Sequence, residues 1–120
     1  MAVLSKAACS RWNLRCDTSN DINAVLPAVL GGAIAICNVA GDRAGHKGIF
    51  SSGGHYIACV GAGNGVAIIA DPGIYPGKFD TAWRSGKVSV WGDLLVTDAV
   101  TLDGDCVGRW PRYYLIKSTR

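Results

Sequence analysis

The stretch GHYIACVGAGNGVAIIADPG, residues 54–73, decides the reading of this chain. Residues 54–60 and 66–71 are short apolar runs rich in β-branched and aromatic side chains, and the glycine-rich segment 61–65 between them reads as the loop of a β-hairpin. With residues 61–65 as the loop, Val60 faces Val66, and each step back along one strand matches a step forward along the other. His55 then falls opposite Asp71. Directly opposed residues of an antiparallel pair have Cβ atoms about 4.5–5.5 Å apart, which lets an imidazole meet a carboxylate. Such a carboxylate holds one ring nitrogen, fixes the tautomer and leaves the other nitrogen to take a proton from a nucleophile. Ile57, Cys59, Ala67 and Ile69 share the same face in this register and form an apolar floor beneath the pair. The bland alternative is a histidine that only pins the end of a hairpin.

Working outward, residues 33–39 (AIAICNV) form a short apolar run bounded by glycines, which fits a buried strand. Before it, Ile22, Val25, Leu26, Val29 and Leu30 recur at three and four, the spacing of an amphipathic helix that Gly31 and Gly32 stop. Pro27 fits this helix only in its first turn, with Asn23 as the cap, or else kinks it. Residues 4–14 carry apolar side chains at 4, 7, 8, 12 and 14 and predict a first helix. The polar cluster 17–21 separates the two helices, and Cys16 falls between them. Residues 40–53, with four glycines, Ser51, Ser52 and His46, have no period and read as an exposed loop, where function concentrates. Further strands are expected over 88–91, 93–100 and 113–117. The layout is α+β: two short helices followed by a twisted antiparallel sheet, in one domain spanning 1–120.

At 120 residues and 49% hydrophobic content, the chain is long enough for one core and too apolar for intrinsic disorder. Residues 24–37, the longest run without charged or strongly polar side chains, fall short of the roughly 20 needed to cross a bilayer, so no membrane span is expected. Residues 1–15 lack a signal-peptide core, and with Met1 as the start the expected location is the cytoplasm. The net charge is +3, but its basic residues are scattered. The one basic aromatic patch, Arg109, Trp110, Arg112, Tyr113, Tyr114 and Lys117, reads as a closing strand, and no nucleic-acid partner is expected.

Five cysteines, at 9, 16, 37, 59 and 106, are an odd number without a CxxC or CxxH pair, which signals neither a disulfide framework nor a zinc knuckle. Cys37 and Cys59 lie in apolar strands and are expected to be buried, structural thiols. No cofactor and no metal site is expected. A metal site from His46, His55, Cys37, Cys59 or Asp71 would need ligands to converge without any local motif spacing. The GAGNG segment at 61–65 does not meet GxGxxG and precedes a strand, so it reads as a turn and not as a phosphate loop.

The segment from Gly54-His55-Tyr56 to Asp71-Pro72-Gly73 resembles the His and Asp region of papain-like cysteine peptidases, nearest to the bacteriocin-processing group that removes double-glycine leader peptides. The order of helix 22–32, strand 33–39, GHY strand and DP-ended strand is similar to that group, and Trp91 with residues 113–116 resembles its closing strands. The likeness covers about residues 4–73. It implies a papain-like second lobe, a peptide or protein substrate, His55 as general base and Asp71 as its orienting partner. It also implies a cysteine opening a helix in an upstream lobe, in a Cys-Gly-Pro setting with a Gln before it. This chain has no such segment and no Gln. Cys9 lies 46 residues before His55, against roughly 130–150 in papain-type enzymes, and Cys16 does not open a helix. Both are retained as candidate nucleophiles beside the alternative that an N-terminal lobe or partner chain supplies one. A transglutaminase-like acyl transferase and a non-catalytic pseudoenzyme or peptide- or cell-wall-binding module are the competing expectations.

Overall fold

Asn13 takes a left-handed backbone angle (φ 56°), which asparagine tolerates better than most residues, and the chain leaves it directly as strand β1 (Leu14–Ser19). The computed structural model describes residues 11–119. Most of the first expected helix, residues 4–14, and Cys9 lie outside that range. Within it, the expectation is corrected in one respect: Leu14 to Ser19 form β1 rather than a helix end and a polar linker, and Cys16 in it pairs with Ile116.

Helix α1 (Ile22–Leu30) begins where the sequence places it. Its cap is Asp21, whose carboxylate accepts the Asn23 N–H at 2.9 Å. Pro27 is therefore the sixth residue of the helix rather than part of its first turn, and the expectation of Asn23 as the cap is corrected. The helix ends soon after this proline: the Gly31 N–H bonds to the Pro27 carbonyl at 3.0 Å, and Gly32 turns the chain out at φ 111°. Val25 and Val29, one turn apart, point into the core.

The sheet is completed by β2 (Ile34–Val39), β3 (His55–Gly63), β4 (Val66–Ala70), β5 (Val88–Trp91), β6 (Leu94–Asp98) and β7 (Tyr113–Ser118), every neighbouring pair being antiparallel. Its order is β1-β7-β2-β3-β4-β6-β5. The C-terminal strand thus enters between β1 and β2. The second described helix, α2 (Ala99–Cys106), lies between β6 and β7, so the expected order of helices first and strands afterwards is corrected. The expected strand over 93–100 ends at Asp98, which caps α2 by accepting the Thr101 N–H at 2.7 Å. Leu102, Asp105 and Cys106 are the buried positions of α2. Val100 is exposed, and a carboxylate occupies one inward position, so hydrophobic periodicity alone does not reveal this helix.

Alternation along the central strands sets the core. Ala35, Cys37 and Val39 of β2, Ile57 and Cys59 of β3, and Ala67 and Ile69 of β4 are buried with Val25, Val29 and Leu102 from the helices. The intervening residues Ile34, Tyr56 and Val60 point away from this core and are exposed.

Candidate functional site

The β3–β4 hairpin turns through Asn64 (φ 53°) and Gly65 (φ 74°), two consecutive left-handed residues that match a type I′ turn. The turn is two residues long, so the expected five-residue loop is corrected. Gly63 pairs with Val66, and Gly61 with Ile68. At Val60 β3 takes one extra residue, after which Cys59 pairs with Ile69 and Ala58 with Ala70. This β-bulge decides the site. Continued without it, the ladder from the turn would bring Ala58 level with Asp71 and leave His55 and Asp71 on opposite faces. With it, Ile57 is level with Asp71, and His55, Ile57 and Cys59 share the face of Ala67, Ile69 and Asp71.

His55 is therefore a diagonal neighbour of Asp71 rather than its direct opposite, and its side chain spans the difference. His55 Nε2 lies 2.7 Å from Asp71 Oδ1. Gly73, where the extended register places His55, makes the crossing possible: a Cβ there would lie 3.0 Å from His55 Nε2. The Gly73 N–H also donates to Asp71 Oδ1 at 2.8 Å.

The other carboxylate oxygen, Asp71 Oδ2, accepts from Lys78 Nζ at 2.6 Å, and Lys78 also donates to the Gly73 carbonyl at 3.3 Å. Lys78 is only 4% exposed and Asp71 only 5%. Burial pushes the Asp71 carboxyl up, but the hydrogen bonds from His55, Lys78 and the Gly73 N–H, with the Lys78 charge, outweigh it and hold the group below its ordinary value. Asp71 is thus a fixed anion. It holds His55 through Nε2, so Nδ1 is the nitrogen left to exchange a proton.

A second carboxylate, Asp105 of α2, places the loop that walls the site. It is fully buried and accepts the N–H groups of Ile49 at 3.0 Å and Phe50 at 2.8 Å, with His46 Nε2 at 2.7 Å. Gly48, just before them, permits a close backbone approach: a Cβ there would meet the Ser51 carbonyl oxygen at 1.8 Å. Its own carbonyl accepts from Trp83 Nε1 at 3.2 Å and Arg84 Nε at 3.0 Å. Loop and post-Asp71 segment together enclose a cleft of about 300 Å³, lined by Phe50, Ser51, Ser52, His55, Gly73, Tyr75, Lys78 and Arg84.

Of the candidate site residues, the structure brings His55 and Asp71 together and leaves Cys16 apart, while Cys9 lies outside the described residues. Cys16 is on β1, three strands from β3, or about 14 Å at 4.7–4.9 Å per strand. Through its register with Ile116 and Ile34 it belongs to the face away from His55. Cys37 and Cys59 are buried. Burial raises the Cys37 and Cys59 thiols, and burial with the charges of Asp105 and Asp103 pushes Cys106 up to about 12. All three are poor nucleophiles where they stand.

Lys78 and Arg84 are site residues that sequence pattern did not single out. Lys78 follows the Asp-Pro-Gly turn closely enough to fold back on Asp71, but nothing in its spacing announces a buried ammonium. The His46–Asp105 pair joins residues 59 positions apart and has no local signature. Among the described residues no group of three or more His, Cys, Asp or Glu side chains could hold a metal ion, and no helix is long and apolar enough to cross a membrane. Comparison with protein-family models, curated proteins and solved structures finds no match to this chain.

Proposed function

We propose that this chain is a papain-like second lobe that supplies the general base, His55, and its orienting anion, Asp71, to a thiol-dependent acyl-transfer site acting on a peptide or isopeptide bond. The observation that carries the reading is the 2.7 Å contact between His55 Nε2 and the buried Asp71 carboxylate at the wall of a cleft. In this reading a cysteine thiol gives its proton to His55 Nδ1, and the thiolate adds to the substrate carbonyl carbon. The imidazolium, steadied by Asp71, returns that proton to the leaving amine as the C–N bond breaks. A water then gives a proton to the imidazole and attacks the thioester, releasing acid and regenerating thiol. The cysteine is Cys9, outside the described residues, or belongs to an upstream lobe or partner chain.

The positions and raised thiols of Cys37, Cys59 and Cys106 favour a second reading, in which the cleft binds peptide without turnover. Hydrolysis of p-nitrophenyl acetate by the chain, with and without an added small thiol, separates the two. The catalytic reading expects a His55-dependent rate that His55→Ala abolishes and Asp71→Asn lowers by about 10²-fold or more, within the range attributed to positioned acid–base groups. Equal rates for the chain and its His55→Ala variant favour the binding module.

A further inference from the structure

We infer that the cleft beside His55 is a carboxylate-binding site in which Arg84 holds the anion, so that the substrate is an acyl compound carrying a free carboxylate close to the bond attacked. The acyl part of this inference rests on the reading of His55 as a base; the carboxylate part rests on Arg84 alone.

Arg84 is 4% exposed, yet its guanidinium forms no ion pair with any carboxylate among the described residues. Its three hydrogen bonds go to neutral acceptors: Nε to the Gly48 carbonyl at 3.0 Å, Nη1 to the Lys78 carbonyl at 3.2 Å and Nη2 to Ser52 Oγ at a long 3.4 Å. An arginine carries five N–H donors and cannot shed its charge, so two donors remain after these three. A charge removed from water and left without a counterion is costly. The neighbouring cation does not share this predicament, because Lys78 is neutralised by Asp71 at 2.6 Å.

The cleft follows the same charge pattern. Lys78 and Arg84 line it, and no Asp or Glu does. Ser51 and Ser52 add hydroxyl groups to its lining, and His55 lines it as well. With one of the two buried cations uncompensated, a bound anion completes the site. About 300 Å³ is at the small end of ligand cavities, suited to one residue-sized group. A planar carboxylate matches the guanidinium fork, which has a Gly48–Lys78 scaffold fixing its plane. Trp83 lies beside the guanidinium, with Arg84 Cζ 5.7 Å from its ring centroid.

The test titrates the ¹⁵N-labelled protein with N-acetylglycine, with its neutral amide N-acetylglycinamide, and with inorganic phosphate, following the Arg84 Nε–H signal and the amides of Ser52, Gly73 and Lys78. Saturable shifts at these groups, with the acid bound at least about tenfold more tightly than the amide, are expected for a charge-assisted contact. Equal response to acid and amide overturns the inference, and tighter binding of phosphate than of acid overturns the choice of carboxylate. Arg84→Gln should remove the acid's advantage; because that change also loosens the Gly48 contact, the acid-against-amide comparison on the unaltered protein carries the decision. His55→Ala should keep the preference for acid while losing esterolysis. Failure of the base reading therefore shows in turnover alone, and failure of the anion site in binding alone.

Discussion

Replacing Asp71 with Asn should cost far more stability than loss of one surface ion pair. The Asn side-chain oxygen can still accept from His55 and from the Gly73 N–H, which now meet Asp71 Oδ1 at 2.7 and 2.8 Å. Its NH₂ group, however, takes the place of the oxygen that meets Lys78 Nζ at 2.6 Å, setting donor against donor. Lys78, at 4% exposure, keeps as hydrogen-bond acceptor only the Gly73 carbonyl at 3.3 Å, beside the Tyr75 and Phe79 rings at 5.9 and 5.5 Å. Breaking a buried pair by removing one partner costs about 3–5 kcal/mol. For a chain of this length that lowers the melting midpoint by about 10–20 °C, at about 4 °C per kcal/mol. Urea unfolding at pH 7 should show the midpoint falling with little change in slope.

The pH dependence supplies a sharper check. Asp71 is held below its ordinary pKa in the folded state, so its contribution is fully present above the unfolded-state value of about 3.9 and is lost as pH falls through the folded value. The gap between the native chain and Asp71→Asn should therefore be widest near neutrality and close below about pH 4. Adding Lys78→Met to Asp71→Asn should restore part of the loss by removing the stranded charge. A cost under about 1 kcal/mol at pH 7, against the 3–5 expected of a buried pair, or a gap that stays constant down to pH 3, refutes the reasoning.

Asp105→Asn should destabilise the chain by about 2–4 kcal/mol, because the carboxylate accepts two backbone N–H groups and His46 in a fully buried position; hydrogen exchange should show Ile49 and Phe50 losing protection first. Asp98→Ala removes the α2 cap and should cost about 1 kcal/mol in urea unfolding. Gly73→Ala places a methyl 3.0 Å from His55 Nε2, which should separate His55 from Asp71 and move the His55 ring signals while leaving the far end of the hairpin unshifted. Cys37, Cys59 and Cys106 should resist Ellman's reagent at pH 8 in the folded chain and react on unfolding, as their burial and raised thiols require.

Much of the sheet was legible because its strands are short apolar runs punctuated by glycine. Residues 33–39, 54–60, 66–71 and 88–91 all lie on or within a residue of observed strands. His55 and Asp71 meet although the expected loop and the observed turn differ. The five-residue loop and the observed two-residue turn with its bulge differ near the site by two residues of register, and a shift of two preserves which face each side chain occupies. A shift of one would have parted them. The extra residue at Val60 leaves no mark in composition, since an exposed valine suits a regular strand equally well. Helix α2 escaped because its inward positions include Asp105, and a buried carboxylate reads as a surface residue until its partners, Ile49 and Phe50, are known. Arg84 and Lys78 escaped for the same reason: their burial is set by tertiary partners that no spacing rule connects.

The most direct test of the His55–Asp71 contact is the protonation pattern of the neutral His55 ring, read by long-range ¹H–¹⁵N correlation. The account predicts a neutral imidazole protonated at Nε2, donating to Asp71, with Nδ1 bare, and predicts that Asp71→Ala erases this preference. A ring protonated at Nδ1, or one whose tautomers are unaffected by Asp71→Ala, contradicts it.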